Sequence, residues 1–452
     1  MLVFNRSKQA FHPGRCNHLM RYPPYIEADF TFPDVYHVQL RPESDGIADV
    51  AAATAATVDR ALSHSPIRSG DTVAVAVGSR GMANLVPMVR TICQRLQHVG
   101  ARPFIVPAMG SHGGATAEGQ AAILAQLGIA EAACGAPVRS SMAAEPIATV
   151  CDDVPVFYAH DIRTADHAVC LNRIKPHTKF KGPLESGLAK MLCVGMGKHD
   201  GALAYHRWAL QYGFFPLLRE MAQAVLTHGN LRFGVAVVEN ARDETCRIEA
   251  VPAARILERE PALLAAVKEQ FPRLPFTRLD VLAIQVIGKE ISGAGMDPNV
   301  TGRAFDLMES DFSDQMQATR VAVLNLSTKT GGNAIGLGNA DIITEKVFQA
   351  MDYEATLMNA LTSLSLHKAF IPVRLPSDRK ALQACFTTLG PKPAAAIEAV
   401  VVRDTRHVNE FLASAALLDG LRRHPLADIL AGPIPLSFDA ADNLVTPWDT
   451  HT

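Results

Sequence analysis

The side chains with the greatest chemical potential lie in residues 171–206, which read LNRIKPHTKFKGPLESGLAKMLCVGMGKHDGALAYH. This segment has six cationic side chains and three histidines but only two acids, Glu185 and Asp200. A solvated surface normally mixes acids with bases. The imbalance therefore predicts a place where an anionic ligand meets a group that transfers protons. The cations and histidines are Arg173, Lys175, Lys179, Lys181, Lys190, Lys198, His177, His199 and His206.

Two glycine-rich loops upstream have a similar character. The loop GSRG at residues 78–81 carries Ser79 and Arg80, and the loop GSHGGAT at residues 110–116 carries His112. Glycine lets the backbone approach a ligand, and a helix that begins after such a loop favours a bound anion. We interpret Ser79 and Arg80 as ligands of a phosphate. A tight turn with a solvated arginine is the alternative.

Two histidines are candidates for acid/base chemistry. His112 can act as a general acid or base that titrates near neutrality, or it can satisfy a backbone carbonyl of its loop. Pro176 holds Lys175 in an extended conformation and fixes the approach of His177. The neighbouring lysines should lower the pKa of His177 and keep its ring neutral. An exposed basic loop is the alternative for His177.

Lys190 lies in the apolar context SGLAKML, where most lysines extend their ammonium group to water. A buried lysine with a lowered pKa can instead be a nucleophile or a covalent attachment point. His206 follows sixteen residues later, near the start of an amphipathic helix, and His199 is a nearer competitor. A position on the helix surface is the alternative for either histidine.

Further along the chain, Lys289 follows the apolar run VLAIQVIG, and Gln285 precedes it by four residues. The glycines after Lys289 favour a loop that approaches a ligand closely. Lys289 could then reach the carboxylate of a substrate. The alternative is a lysine in water at the end of a strand.

Length and composition limit the classes of protein. A chain of 452 residues exceeds one ordinary core, which favours two domains. The formal charge of −2 disfavours a nucleic-acid partner. We expect no membrane span because the sequence lacks an apolar run of about 18 residues. The start lacks the apolar core of a secretion signal, and the eight cysteines lack CxxC pairs, so we expect a cytoplasmic location. The oligomeric state stays open.

The apolar pattern predicts an α/β fold, because short β-branched runs alternate with amphipathic helices. We expect a catalytic and cofactor-binding domain in residues 1–275 and an α/β domain in residues 276–452 that closes the cleft. Each should hold a mixed or mostly parallel sheet flanked by helices. Ligands bind at the carboxyl ends of parallel strands, which predicts an active site in the interdomain cleft. The predicted strands include residues 72–77, 103–108, 167–174, 232–240, 246–252, 281–288 and 320–327, and the predicted helices residues 83–98, 117–127, 203–226 and 253–269.

The order and joint spacing of Arg80, His112, His177, Lys190 and His206 resemble the nickel-dependent lactate racemase family. Enzymes of that family use a nickel-pincer nucleotide, a pyridinium-3,5-bisthiocarboxylic acid mononucleotide that derives from nicotinic acid mononucleotide. The resemblance covers the N-terminal domain and, more weakly, the second domain. It implies a dependence on the enzymes that synthesise the cofactor.

The resemblance also implies how this chain would bind the cofactor. Lys190 would carry it through a thioamide link, and His206 would be the protein ligand of nickel. Arg80, together with Ser79, would hold the phosphate of the nucleotide.

For catalysis, the resemblance implies a racemase or epimerase of a 2-hydroxy acid that works by hydride transfer. His112 and His177 would be an acid/base pair on opposite faces of a small anionic substrate. Lys289, with Gln285, would contact that substrate.

The sequence departs from the family at several points. The attachment lysine lies in ESGLAK rather than in a Gly-Gly-x-Lys sequence, and the first loop is GSRG rather than a Thr-Arg-Pro type. The chain is therefore interpreted as a divergent homologue whose substrate is open. Two other functions are considered: a hydrolase or lyase with a plain metal site of His177, His199 and His206, and a non-catalytic binder of an anionic nucleotide.

Overall fold

The computed structural model describes residues 30–306 and 310–451 of the chain. Its helices and strands form an α/β structure with two large sheets, and this confirms the predicted fold class. The strands are β1 (Val35–Leu40), β2 (Thr72–Val77), β3 (Arg102–Pro107), β4 (Ala144–Val150), β5 (Val154–Ala159), β6 (His167–Arg173), β7 (Leu231–Glu239), β8 (Thr245–Pro252), β9 (Arg278–Ile287), β10 (Gln317–Leu326), β11 (Ile342–Thr344), β12 (Val373–Leu375), β13 (Ala399–Val402), β14 (Glu410–Ser414), β15 (Ala427–Ile434), β16 (Ser437–Phe438) and β17 (Leu444–Val445).

Helices occupy much of the chain between these strands. The α-helices are α1 (Val50–Leu62), α2 (Leu85–His98), α3 (Ala117–Gln126), α4 (Glu131–Cys134), α5 (His160–Arg163), α6 (Leu188–Lys190), α7 (Lys198–Tyr212), α8 (Phe214–His228), α9 (Ile256–Gln270), α10 (Pro298–Thr301), α11 (Glu345–Ala350), α12 (Tyr353–Thr362), α13 (Asp378–Thr387) and α14 (Leu418–Arg423). No helix in the described ranges is long and apolar enough to cross a membrane.

The first sheet has five strands in the order β3-β2-β6-β7-β8. Its pairs are parallel except for the antiparallel pair of β7 and β8. Alternate residues of β2 pack into different cores: Val73 and Val75 lie in one core, and Ala74 and Ala76 lie in the other. Burial on both faces explains the uninterrupted apolar run of this strand.

The second sheet has eight strands in the order β12-β11-β10-β9-β13-β14-β1-β15. The pairs from β12 to β13 are parallel, and those from β13 to β15 are antiparallel. Strand β1 comes before the strands of the first sheet in sequence, and the other strands of the second sheet come after them. The domain boundary after residue 275 stays a prediction.

The strongly apolar strands and amphipathic helices agree with the sequence pattern. Thr116 caps α3 by accepting a hydrogen bond from the backbone N–H of Gly119, as expected for a threonine at this position. The helix predicted for residues 203–226 is wrong in one respect, because it is two helices. Gly213 has φ +81°, a backbone conformation that residues with a Cβ rarely adopt, and it separates α7 from α8.

The parallel strands determine where the site forms. Strands β2, β3 and β6 are neighbours, and their carboxyl ends lie on the same edge of the first sheet. Each of the three is followed by a loop with a candidate residue: Arg80, His112 and His177 respectively. The topology therefore brings together three loops that are far apart in sequence.

Candidate functional site

His112 lies in the loop after β3, next to the loop after β2. Its Nδ1 is hydrogen-bonded to the hydroxyl of Ser79. Gly113 has φ +67°, and a Cβ there would lie 2.5 Å from the backbone carbon of Gly119 at the start of α3. Only glycine therefore allows this loop to fold tightly against α3 and hold the imidazole against Ser79.

His177 is held by contacts on every side. Its backbone N–H donates to Glu185 Oε2 at 2.7 Å, and its carbonyl accepts from Asn299 Nδ2 at 3.1 Å. Its ring stacks on Phe180 with 4.2 Å between ring centroids. The position of this imidazole is thus set by residues from both halves of the chain.

Lys190 ends the short helix α6, and residues 191–195 continue it as a π-helical turn. The Nζ of Lys190 is hydrogen-bonded to Nε2 of His177. The start of this helix is supported by Glu260 of α9, whose Oε2 accepts from the backbone N–H of Ala189 at 2.8 Å. A buried carboxylate at a helix N-terminus satisfies donors that would otherwise have no partner.

Burial makes the ammonium group of Lys190 lose its proton more easily than usual. The pKa of Lys190 falls to about 7, chiefly because burial disfavours the ammonium and then because Arg80 and Lys175 are nearby. The pKa of Lys175 falls to about 8, again through burial first and then through Arg173. Near neutral pH, a large fraction of Lys190 is therefore a neutral amine with a nucleophilic lone pair.

The three histidines of the site are held neutral by the same causes. Burial and then the charge of Arg80 lower the pKa of His112 to about 3. Burial and then Lys190 lower the pKa of His206 to about 3 and that of His177 well below its usual value. The charge of Lys190 contributes to the lowered pKa of all three histidines, and its Nζ contacts the ring of His177 directly. The expected lowering of the His177 pKa is confirmed, with burial as its main cause.

These side chains lie close enough to influence one another, and we call the region among them the recess. Solvent still reaches each of them, although burial is the largest cause of every lowered pKa. A side chain that is both surrounded by protein and in contact with solvent lies in a concave surface, which is the usual form of a ligand site. The residues that share this property are Arg80, His112, His177, Lys190, His206 and Lys289.

Arg80 contacts the loop that carries Lys289 in the second half of the chain. The Nη1 of Arg80 donates a long hydrogen bond of 3.5 Å to the backbone carbonyl of Lys289. A Cβ on Gly293 would lie 3.1 Å from Nη2 of Arg80, so the guanidinium packs against the loop after β9. Burial and the charge of Arg80 lower the pKa of Lys289. Two cations that repel each other at close range favour an anion between or beside them.

His206 is the candidate metal ligand, and its ring has an uncommon environment. Its Nδ1 is buried and has no hydrogen-bond partner among the described residues. Buried polar atoms are nearly always paired, so this unpaired nitrogen is a candidate to coordinate a metal ion. His199, the competing candidate, is exposed in the first turn of α7. No group of three or more His, Cys, Asp or Glu side chains in residues 30–306 and 310–451 could hold a metal ion, which disfavours the plain metal site of His177, His199 and His206.

Gln285 is not brought to the recess. Its Nε2 donates to the carboxylate of Asp449 at 3.0 and 3.1 Å, and its Oε1 accepts from the indole of Trp448. The alternation of side chains along β9 explains why Gln285 does not make the expected contact with a substrate. Gln285 lies on the same face as Val281 and Ala283, which pack in the core that contains Trp448.

Several residues that shape the site were not singled out from the sequence. Asn299 and Glu260 contact the loop of His177 and the helix of Lys190, yet both lie far away in sequence and carry no local signal. Lys175 was visible as part of the cationic segment, and its position beside Pro176 was the available signal. Glu185 was noted only as a scarce acid, and it binds the His177 backbone.

Comparison with known proteins gives little for this chain. No protein-family model matches the sequence, and no curated protein matches it. Among solved structures, the chain is similar to the lactate racemase apoprotein from Thermoanaerobacterium thermosaccharolyticum, with a TM-score of 0.49 and 13% sequence identity over 83% of this chain and 99% of that chain. A likeness of this degree does not assign a function, which has to rest on the residues of the site.

Proposed function

We propose that this chain is a racemase or epimerase of a 2-hydroxy acid that uses a nickel-pincer nucleotide attached to Lys190. The observation that carries the proposal is the arrangement of His112 and His177. Both rings are held neutral, and both lie in the field of one lysine with a pKa of about 7. Neutral imidazoles can accept the proton of a hydroxyl group, and an anionic substrate bound in this cationic recess would raise their lowered pKa values toward the working pH.

The residues of the recess fit the chemistry of such a nucleotide. The amine of Lys190 can form a covalent bond, and the unpartnered Nδ1 of His206 can be a nickel ligand. Arg80 and Ser79 are the residues that would hold the phosphate. The cofactor, when bound, supplies the acceptor that takes a hydride from the substrate carbon and returns it.

The histidines would supply the proton transfers. Direct removal of the α-proton from a 2-hydroxy carboxylate would create a second negative charge beside the carboxylate, which is unfavourable. A neutral imidazole can instead accept the hydroxyl proton while the hydride leaves the carbon. Inversion then needs a proton donor for the opposite face, so two histidines are required. Lys289 would orient the carboxylate of the substrate and keep the reacting carbon in place.

The first experiment uses protein made in cells that also contain the enzymes of cofactor synthesis. Intact mass spectrometry followed by peptide mapping should find a mass increment on Lys190. One enantiomer from a panel of 2-hydroxy acids is then added, and the chiral composition is followed with time. An unmodified Lys190, together with an unchanged enantiomer ratio across the panel, would refute the proposal.

A second experiment separates the metal ligands. We expect His206→Gln to lose most of its bound nickel, whereas His199→Gln, on the same helix but exposed, should keep it. Equal nickel contents in the two variants would argue against His206. If the chain is only a binder of anionic nucleotides, His112→Gln and His177→Gln will bind ligand normally and no turnover will be found in the wild type. The substrate, the partners in cofactor synthesis and the cellular location stay predictions.

A further inference from the structure

The loop that carries His177 is anchored to the second half of the chain by a buried lysine. Lys179 is only 5% exposed, so its ammonium needs several acceptors to offset the loss of water. Its Nζ donates to the carbonyls of Ser363 and Leu364 at 2.7 and 3.2 Å and to Oγ of Ser365 at 2.7 Å. These three oxygens follow the last residue of α12, where a helix leaves carbonyls without partners and favours a cation.

The backbone of the same lysine contacts the histidine ring. The N–H of Lys179 donates to Nδ1 of His177 at 3.1 Å. On the other side of this residue, its carbonyl accepts from the N–H of Ser310 at 3.0 Å. The side chain anchor and this carbonyl contact together hold Lys179 in place, with its N–H on the His177 ring.

This contact decides which nitrogen of His177 carries the proton. A nitrogen that accepts a hydrogen bond has no proton, so a neutral ring with Nδ1 as acceptor carries its proton on Nε2. Nε2 is the atom that contacts Lys190. The bond between them is then a donation from Nε2 to a neutral amine. A protonated Lys190 would need the opposite tautomer, which would direct a proton of Nδ1 at the Lys179 N–H.

We infer that Lys179 is a positioning residue that fixes His177 in the Nε2–H tautomer by docking its ammonium on the end of α12. The second half of the chain thereby sets the protonation pattern of a ring that belongs to the first. In terms of the proposed function, on which this consequence rests, the Nε2 of His177 already carries a proton and cannot accept a second one. His112 is then the ring that must first accept the hydroxyl proton.

The tautomer can be measured without turnover or cofactor. The full chain is produced with ¹⁵N-labelled histidine in cells that lack the cofactor enzymes, and long-range ¹H–¹⁵N spectra are recorded near pH 8. The chain has sixteen histidines, so His177 is assigned by the signals that disappear in His177→Gln. We expect Nδ1 of His177 at the position of an unprotonated nitrogen and Nε2 at that of a protonated one.

Variants then test the role of Lys179. Lys179→Met removes the ammonium and should move the two His177 nitrogen signals toward each other, because both tautomers become populated. Lys179→Arg should restore most of the separation. Lys181→Met is the matched control: this lysine lies in the same loop and binds Asp314 of the second half, but its N–H donates to Ser310 and not to the ring. It should leave His177 unchanged.

Other outcomes overturn the inference. It fails if wild-type Nδ1 is the protonated nitrogen, if Lys179→Met leaves both signals in place, or if Lys181→Met moves them equally. Should Lys179→Met not fold, Ser365→Ala decides, since it removes one acceptor of the ammonium and should give a smaller shift in the same direction. Unchanged signals in Ser365→Ala would then count against the inference. None of these results depends on whether the chain is a racemase.

Discussion

The two halves of the chain contribute differently to the recess. Loops after β2, β3 and β6 of the first sheet carry side chains that can react, including His112 and His177. The second half contributes groups that hold them: the amide of Asn299 on the His177 carbonyl and the oxygens of residues 363–365 around Lys179. The first half thus supplies the reactive histidines and some of their supports, and the second half adds contacts that orient them, so variants of the two halves should fail in different ways.

The largest effect is expected for the two histidines of the first half. His112→Gln and His177→Gln should each lower kcat for racemisation by about 10²–10⁴-fold, because each removes one proton transfer. Asn299→Ala, in the second half, should lower kcat by only about tenfold, since it loosens the ring without removing it. The measurement is the rate of chiral interconversion by the loaded enzyme. A loss in Asn299→Ala as large as in His177→Gln would contradict this separation of roles.

Acid should weaken the first half in particular. The pKa values of His112 and His206 are about 3 in the folded chain, against a usual value near 6.5. Between these values the unfolded chain binds protons and the folded chain does not, so stability is complete above pH 6.5 and is lost as the pH falls. The lowered pKa of each histidine should reduce the free energy of unfolding by about 2 kcal/mol between pH 7 and pH 5.

The measurement for this acid effect is urea unfolding at several pH values. Between pH 7 and pH 5, His112→Gln should lose about 2 kcal/mol less of its unfolding free energy than the wild type, because this histidine no longer titrates. His199→Gln removes an exposed ring and should not change the slope. Identical slopes in the wild type and His112→Gln would show that this ring titrates normally.

Two buried lysines of one segment give the next test. Lys190 meets a histidine nitrogen, whereas Lys198 donates to the carbonyl of Pro107 at 2.6 Å and to Gln120 Oε1 at 3.3 Å. The pKa of Lys190 is about 7 in the folded chain and near 10.5 in the unfolded chain. Below pH 10.5 the unfolded chain binds the proton more tightly, so Lys190 lowers the free energy of unfolding. Removal of this penalty is worth about 4 kcal/mol at pH 7, and the lost bond to His177 takes back about 1 kcal/mol. Lys190→Met should therefore stabilise the cofactor-free protein at pH 7 by about 3 kcal/mol.

Lys198→Met should stabilise the protein less than Lys190→Met, although burial lowers the pKa of Lys198 as well, to about 8. It leaves two buried oxygens without a donor, which costs on the order of 1–3 kcal/mol. Thermal or urea unfolding at pH 7 compares the two variants, and the gain for Lys190→Met should shrink toward zero as the pH rises to 10.5. Destabilisation by both variants would mean that Lys190 is held as favourably as Lys198.

Sequence reasoning succeeded where local pattern and topology coincide. Buried runs such as β2 and β3 are apolar without interruption, and their parallel pairing places the loops of Arg80 and His112 on one edge. The apolar context of Lys190 was enough to predict a buried amine. The break at Gly213 was missed because a single glycine inside a helical pattern is often tolerated.

Long-range contacts account for the rest. Nothing near Asn299 in sequence reveals that its amide binds the backbone of His177, 122 residues away. The placement of β1 in the second sheet depends on pairing with β14 and β15 at the other end of the chain. Gln285 is only four residues from Lys289 in sequence, which suggested a substrate contact for both. The alternation of β9 instead directs Gln285 into the core that contains Trp448, where it binds Asp449.

The smallest effect distinguishes Gln285 from Lys289. Gln285→Ala removes the hydrogen bonds to Asp449 and Trp448, which should lower the unfolding free energy by on the order of 1 kcal/mol and leave KM unchanged. Lys289→Ala removes the cation that would hold the substrate carboxylate, so it should raise KM for the hydroxy acid. Because it also relieves repulsion with Arg80, it should not lower stability. Steady-state kinetics and urea unfolding of both variants check this reciprocal pattern. A raised KM in Gln285→Ala would show that this residue contributes to substrate binding, which would contradict its placement in the core.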